Sequence, residues 1–141
     1  LYFDYMQIEL GMISGLKPRF NIYTVPGQVY YKQTRKLVLK GADGVVFVAD
    51  SQQGRLRDNI LAVRDMRRDL GDLGFNPEQM PLVLQCNKRD LENIVPVIML
   101  KNRLKMNGVP TFETIAIQGE GVLDSLKTII NRVVNKTEHR L

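Results

Sequence analysis

Leu82-Val83-Leu84-Gln85-Cys86-Asn87-Lys88-Arg89-Asp90 is an apolar run that passes without a break into a polar N-K-x-D tetrapeptide. An apolar run this short, opened by Pro81, reads as a buried strand over residues 81–86. In open α/β sheets, ligands bind outside the carboxyl ends of the strands. Residues 87–90 therefore stand where binding chemistry is to be expected. N-K-x-D arises by chance in only about 2% of chains of this length at average residue frequencies, so the coincidence of motif and position carries information.

The neighbouring segments extend the same architecture. Gly44-Val45-Val46-Phe47-Val48-Ala49-Asp50 is a second continuous apolar run rich in β-branched residues, the pattern of a parallel strand buried on both faces. Between the two runs, Leu56, Ile60, Val63, Met66 and Leu70 recur at steps of three and four and predict a helix over 56–70. Further on, the pattern predicts a helix over 94–106 and a last strand over 110–117. It then predicts a last helix over 121–135, with Val122, Leu126, Ile129, Ile130 and Val133 facing inward. Towards the start, residues 1–10 and 19–25 read as strands whose short connection favours antiparallel pairing. Pro26-Gly27 breaks the chain, and a helix over 29–39 is stopped by Gly41. Strand-like and helix-like runs thus alternate, which predicts a layered α/β fold in one domain spanning 1–141.

Composition narrows the function classes. The formal charge is +5, but the basic residues alternate with acids, as in Arg64-Asp65-Met66-Arg67-Arg68-Asp69, which reads as a solvated helix face. The clustered Lys and Arg with interleaved aromatics that nucleic-acid binding needs are not there. No run approaches the ~18 apolar residues of a membrane span, and no signal peptide is visible. With a single cysteine, Cys86, no intrachain disulfide can form. Its place at the end of an apolar run makes it a small buried hydrophobe, which fits a reducing compartment. His139, beyond the last helix, reads as a solvated cap.

The chemistry of the N-K-x-D segment is that of a guanine clamp. Asp90 offers two acceptor oxygens to the N1–H and exocyclic amine of guanine, a donor pair that adenine lacks; such bidentate, charge-assisted pairing discriminates strongly. Asn87 can donate and accept at the base edge or to a neighbouring loop, and the aliphatic stem of Lys88 can lie along the base plane. A second segment, Thr24-Val25-Pro26-Gly27-Gln28, follows a strand. Gly27 lets a backbone N–H approach a phosphate, and Gln28 can orient a water for attack on it. A third, Thr114-Ile115-Ala116-Ile117-Gln118-Gly119-Glu120-Gly121, follows the last strand and could bring the Ala116 amide to the guanine carbonyl. Taken alone, the second and third segments are ordinary turns; their order behind successive strands gives them weight.

That order is the one found in Ras-superfamily GTPases. Val46-Phe47-Val48-Ala49-Asp50-Ser51 and Gln118-Gly119-Glu120-Gly121-Val122 resemble Arf-like members. Thr24-Val25-Pro26-Gly27-Gln28, with threonine where most relatives carry aspartate, resembles the bacterial gliding-motility (MglA-like) group. So do Leu1-Tyr2-Phe3-Asp4 and the stretch from Arg35 to Gly44. The resemblance implies a Ras-like three-layer fold with a mostly parallel sheet, and a cytoplasmic GTP/GDP switch that hydrolyses GTP slowly, in cell polarity or gliding motility. It implies that Asn87, Lys88, Asp90 and the Ala116 amide hold guanine, that Gly27 senses the terminal phosphate and that Gln28 orients the catalytic water. It also implies a Roadblock-fold (MglB-like) activating partner and effectors. The switch regions, residues 1–25 and 28–40 with Tyr30 and Tyr31, would form the partner surface.

One departure from the family pattern is large. No G-x-x-x-x-G-K-[S/T] occurs in the 141 residues, and that loop supplies the phosphate cradle and a magnesium-holding hydroxyl. The expectation is a GTPase domain incomplete at its N-terminus, lacking the central first strand, P-loop and first helix. Magnesium would then be held by upstream residues and the nucleotide, with no metal ligand in this chain, and the chain alone would be inactive and poorly stable. The family strand order 2-3-1-4-5-6 would leave a slot beside residues 44–50. The alternative is a nucleotide-independent protein-binding module on a degenerate GTPase scaffold, against which the intact Gln28 and guanine motif speak.

Overall fold

A computed structural model describes residues 4–9, 11–12, 15–25 and 32–138. The described backbone divides into two compact units, residues 1–42 and 43–141.

In the first unit, β1 (Asp4–Glu9) pairs antiparallel with β2 (Arg19–Thr24), in a register that sets Asp4 opposite Thr24 and Glu9 opposite Arg19. Side chains alternate faces along a strand, so Met6, Ile8, Phe20 and Ile22 share one face while Tyr5, Gln7, Asn21 and Tyr23 share the other. The second face is tied by its own contacts. The rings of Tyr5 and Tyr23 lie 5.0 Å apart, and Asn21 Oδ1 accepts from Tyr5 Oη at 2.8 Å and Gln7 Nε2 at 3.1 Å. Thr24 Oγ1 donates to the Asp4 carboxylate and accepts from the Asp4 amide, both at 3.2 Å, which closes the open end of the hairpin. The α1 helix (Lys32–Lys40) buries Arg35 and Leu39; residues 29–31 of the predicted helix lie outside the described residues, as do Pro26, Gly27, Gln28, Tyr30, Tyr31 and His139.

The second unit is a parallel sheet in the order β3-β4-β5, with β3 Val45–Asp50, β4 Leu82–Asn87 and β5 Thr111–Glu113. Among the described residues, three α-helices accompany it: α2 (Leu56–Asp72), α3 (Val97–Arg103) and α4 (Val122–Glu138). The central strand behaves as its sequence demands, with Val83, Leu84 and Cys86 fully buried. β3 departs from the expectation of burial on both faces: of its residues only Ala49 is buried, and Val48 is 52% exposed. The reason is its position. β3 is an edge strand, with β4 on one side and no strand on the other among the described residues.

The amphipathic pattern of α2 places Val63, Met66 and Leu70 in the core as predicted, with Asn59 and Asp69 buried beside them. The helix predicted over 94–106 is shorter, Val97–Arg103, because Pro96 disfavours helical backbone at its predecessor and Lys105 takes a left-handed φ of 54°. On α4, Ile129 and Ile130 are buried. The helix comes so close to the start of β3 that a side chain on Gly44 would meet Val133 Cγ2 at 2.7 Å. A buried polar contact fixes its position along the sheet: Gln85 Nε2 on β4 donates to Ser125 Oγ, which donates in turn to the Val122 carbonyl at 2.8 Å.

Candidate functional site

The carboxyl ends of the three parallel strands carry the candidate site. β4 runs directly into residues 87–90, and β5 is followed by Thr114 and a single turn of 3-10 helix over Ala116–Gln118. Asn87 joins the two loops. Its Oδ1 accepts from the buried Thr114 hydroxyl at 3.1 Å and from the Ala116 amide at 2.9 Å. With the oxygen doubly occupied, the Nδ2 amine remains to donate outward. The Ala116 N–H, which the sequence reading directs to a guanine carbonyl, here donates to Asn87.

Lys88 has φ 65°, a left-handed conformation that costs a non-glycine residue about 1–2 kcal/mol. The turn is closed by the Leu91 amide, which donates to the Lys88 carbonyl at 3.2 Å. Lys88 Nζ pairs with Asp50 Oδ2 at 3.0 Å. Arg89, the variable position of the motif, is a structural brace. Its guanidinium reaches Glu113 Oε1 at 3.2 Å and the Val95 carbonyl at 2.7 Å, and its amide donates to the Thr114 carbonyl. Asp90 is different: its carboxylate is exposed and makes no hydrogen bond or ion pair among the described residues.

Asp50, at the end of β3, carries more contacts than the sequence reading gave it. Gln52 donates to its carboxylate from the backbone at 3.1 Å and from the side-chain amide. Burial by itself would raise the Asp50 carboxyl, but the hydrogen bonds from Gln52 and Lys88 and the lysine charge outweigh it, so the group is held below the usual carboxylate range. Cys86, in contrast, is fully buried and its thiol is pushed up to about 11 by desolvation, which leaves it protonated and inert near neutral pH.

Gly121 sets the third loop. It has φ 76°, and a Cβ there would collide with the Glu113 carbonyl oxygen. Only glycine lets the Ala116 turn fold back over the end of β5. The structure thus brings together Asn87, Lys88, Asp90 and Ala116. The other two predicted site residues, Gly27 and Gln28, lie outside the described residues. Asp50, Asn59 and Thr114 are the residues the sequence reading left without a role; for Asp50 and Thr114, their place at strand ends was the available signal.

This mixed α/β architecture, with its parallel three-stranded sheet and polar loops at the carboxyl ends, is compatible with a Ras-like fold. No family model matches the chain. The chain is 44% identical over 136 residues to the mutual gliding-motility protein MglA of Myxococcus xanthus (strain DK1622), covering 96% of this chain and 70% of that one. It is also 28% identical over 120 residues to DnaJ homolog subfamily C member 27 of Gallus gallus and 29% identical over 124 residues to the Homo sapiens protein of that name. It spans 44% and 45% of their lengths. The chain belongs to the MglA-like group of Ras-like small GTPases.

Proposed function

We propose that the chain is the guanine-binding and water-positioning part of a GTP/GDP switch of the gliding-motility type. The observation that carries the reading is the joining of the two loops through Asn87 Oδ1, beside an Asp90 carboxylate with no protein partner among the described residues. A carboxylate held in a braced loop and left unpaired suits a ligand that brings two donors. Guanine does so through N1–H and its exocyclic amine. In this reading Asn87 Nδ2 donates to the base edge, the Lys88 stem covers its plane, and the Ala116 amide shares its proton between Asn87 and the guanine carbonyl.

Gly27 senses the terminal phosphate by its backbone, and Gln28 orients the attacking water. The phosphate cradle and the residues that hold Mg2+ come from sequence upstream. In support of this, β3 has one edge free of any strand among the described residues and exposes Val48, as a strand awaiting a parallel neighbour would. The upstream first strand fills that edge, and the chain hydrolyses GTP only together with it. Magnesium neutralises the phosphate charge when bound. The switch acts in the cytoplasm in cell polarity or gliding motility, and a Roadblock-fold (MglB-like) protein activates it.

The test is nucleotide selectivity and turnover in the full reading frame. Fluorescent GDP should be displaced by GDP and GTP and not by ATP. Gln28→Ala should keep the binding and slow single-turnover hydrolysis about 100-fold, the usual weight of a group that assists proton transfer or positions water. Displacement by ATP as readily as by GTP contradicts the guanine assignment, and unchanged hydrolysis in Gln28→Ala contradicts the role of that glutamine.

A further inference from the structure

Asp50 and Asn59 make a linked set of contacts that reaches from helix α2 to the lysine of the guanine motif. In β3, alternate residues direct their backbone groups to β4: Val45 donates to the Pro81 carbonyl and Ser51 to the Asn87 carbonyl. Asp50, lying between two such residues, directs its own N–H and C=O to the opposite edge. There a single side chain takes both. Asn59 Oδ1 accepts from the Asp50 amide at 3.1 Å, and Asn59 Nδ2 donates to the Asp50 carbonyl at 2.8 Å. Asn59 imitates the backbone of a neighbouring strand at this one position, and it is 6% exposed, so its orientation is fixed by packing.

The carboxylate of Asp50 is fixed as firmly as its backbone. Gln52 holds Oδ1 with two donors and reaches Oδ2 with one, and Oδ2 faces Lys88 Nζ at 3.0 Å. At the other end of this pair stands a lysine in a left-handed backbone conformation. Such conformations persist when surrounding contacts over-determine them, and they cluster at binding sites. A lysine side chain has much rotamer entropy to lose when it is immobilised. Anchoring its ammonium before ligand arrives removes part of that loss from the binding step.

We infer that Asp50, braced by Asn59 and Gln52, is a positioning residue for nucleotide binding: it pins the Lys88 ammonium so that the aliphatic stem is already in place to cover the guanine plane. Asp50 touches no ligand itself and acts through Lys88. The inference rests on the guanine reading given above.

A double-mutant cycle in the full reading frame tests it, with fluorescent GDP as the probe. Asp50→Asn preserves the shape and the acceptor for Gln52 while removing the charge, and Lys88→Met preserves the apolar stem while removing the ammonium. With Lys88 present, Asp50→Asn should raise the dissociation constant about 5-fold, the upper range for a partly exposed ion pair. In the Lys88→Met background the same substitution should have no effect, since the group through which Asp50 acts is gone. A general loss of stability would lower affinity equally in both backgrounds. The inference is overturned if Asp50→Asn binds as the parent does, or if its cost is the same with and without the ammonium. A parent protein that binds no guanine nucleotide defeats the guanine reading and this inference with it, whereas a binding parent with an indifferent Asp50→Asn defeats this inference alone.

Discussion

Asn87 is the residue on which the two loops depend. Its Oδ1 satisfies the hydroxyl of Thr114, a residue with no solvent exposure, and the amide of Ala116. Removing one partner of a buried hydrogen bond leaves the other unsatisfied, which costs about 1–3 kcal/mol. Asn87→Ala should therefore lower the unfolding free energy of the protein without nucleotide by that amount, read as a lower denaturant midpoint with the slope unchanged. An unchanged midpoint would mean that the Thr114 hydroxyl finds another acceptor. At this scale the sequence was readable where the chemistry is contiguous. Residues 87–90 form a four-residue motif at the end of an apolar run, the run folds as β4 as its sequence predicts, and the guanine proposal rests on the motif that follows it. The role of Asp50 was not readable in this way. Lys88 is 38 positions away and Asn59 nine, and only the folded chain brings the three together. Asn59, read along the helix, is simply one polar residue among others.

At the scale of the element, the helices and strands followed their hydrophobic periods, while their exposure followed their neighbours. The apolar run over 44–50 and the run over 82–86 look equivalent in sequence. One is an edge strand with a half-exposed Val48, the other a buried centre, because burial depends on what lies alongside and not on the strand's own composition. The last turn shows a finer distinction. Gly119 and Gly121 both have positive φ, 75° and 76°, but a Cβ on Gly119 meets open space, whereas one on Gly121 runs into the Glu113 backbone. Gly119→Ala should cost the left-handed backbone penalty of about 1–2 kcal/mol. Gly121→Ala should cost that and more, because a backbone carbonyl cannot rotate aside as a side chain can. Thermal unfolding of the two variants side by side checks this, and equal losses would show that the Glu113 contact relaxes freely.

At the scale of the whole molecule, the predicted site residues fall in both units of the chain. The sheet of residues 43–141 carries Asn87, Lys88, Asp90 and Ala116 at or after its strand ends, and residues 1–42 carry the hairpin that precedes Gly27 and Gln28 in sequence. No G-x-x-x-x-G-K-[S/T] occurs in the 141 residues, and β3 has one edge without a strand among the described residues, where the proposed upstream strand would lie. The most direct measurement is a fluorescent GDP titration of three proteins: this chain, the chain extended upstream by about 50 residues of its reading frame, the length a strand, loop and helix require, and the extended chain carrying Asp90→Ala. Only the extended protein with Asp90 intact should bind. An extended protein that folds and leaves GDP in solution would contradict it.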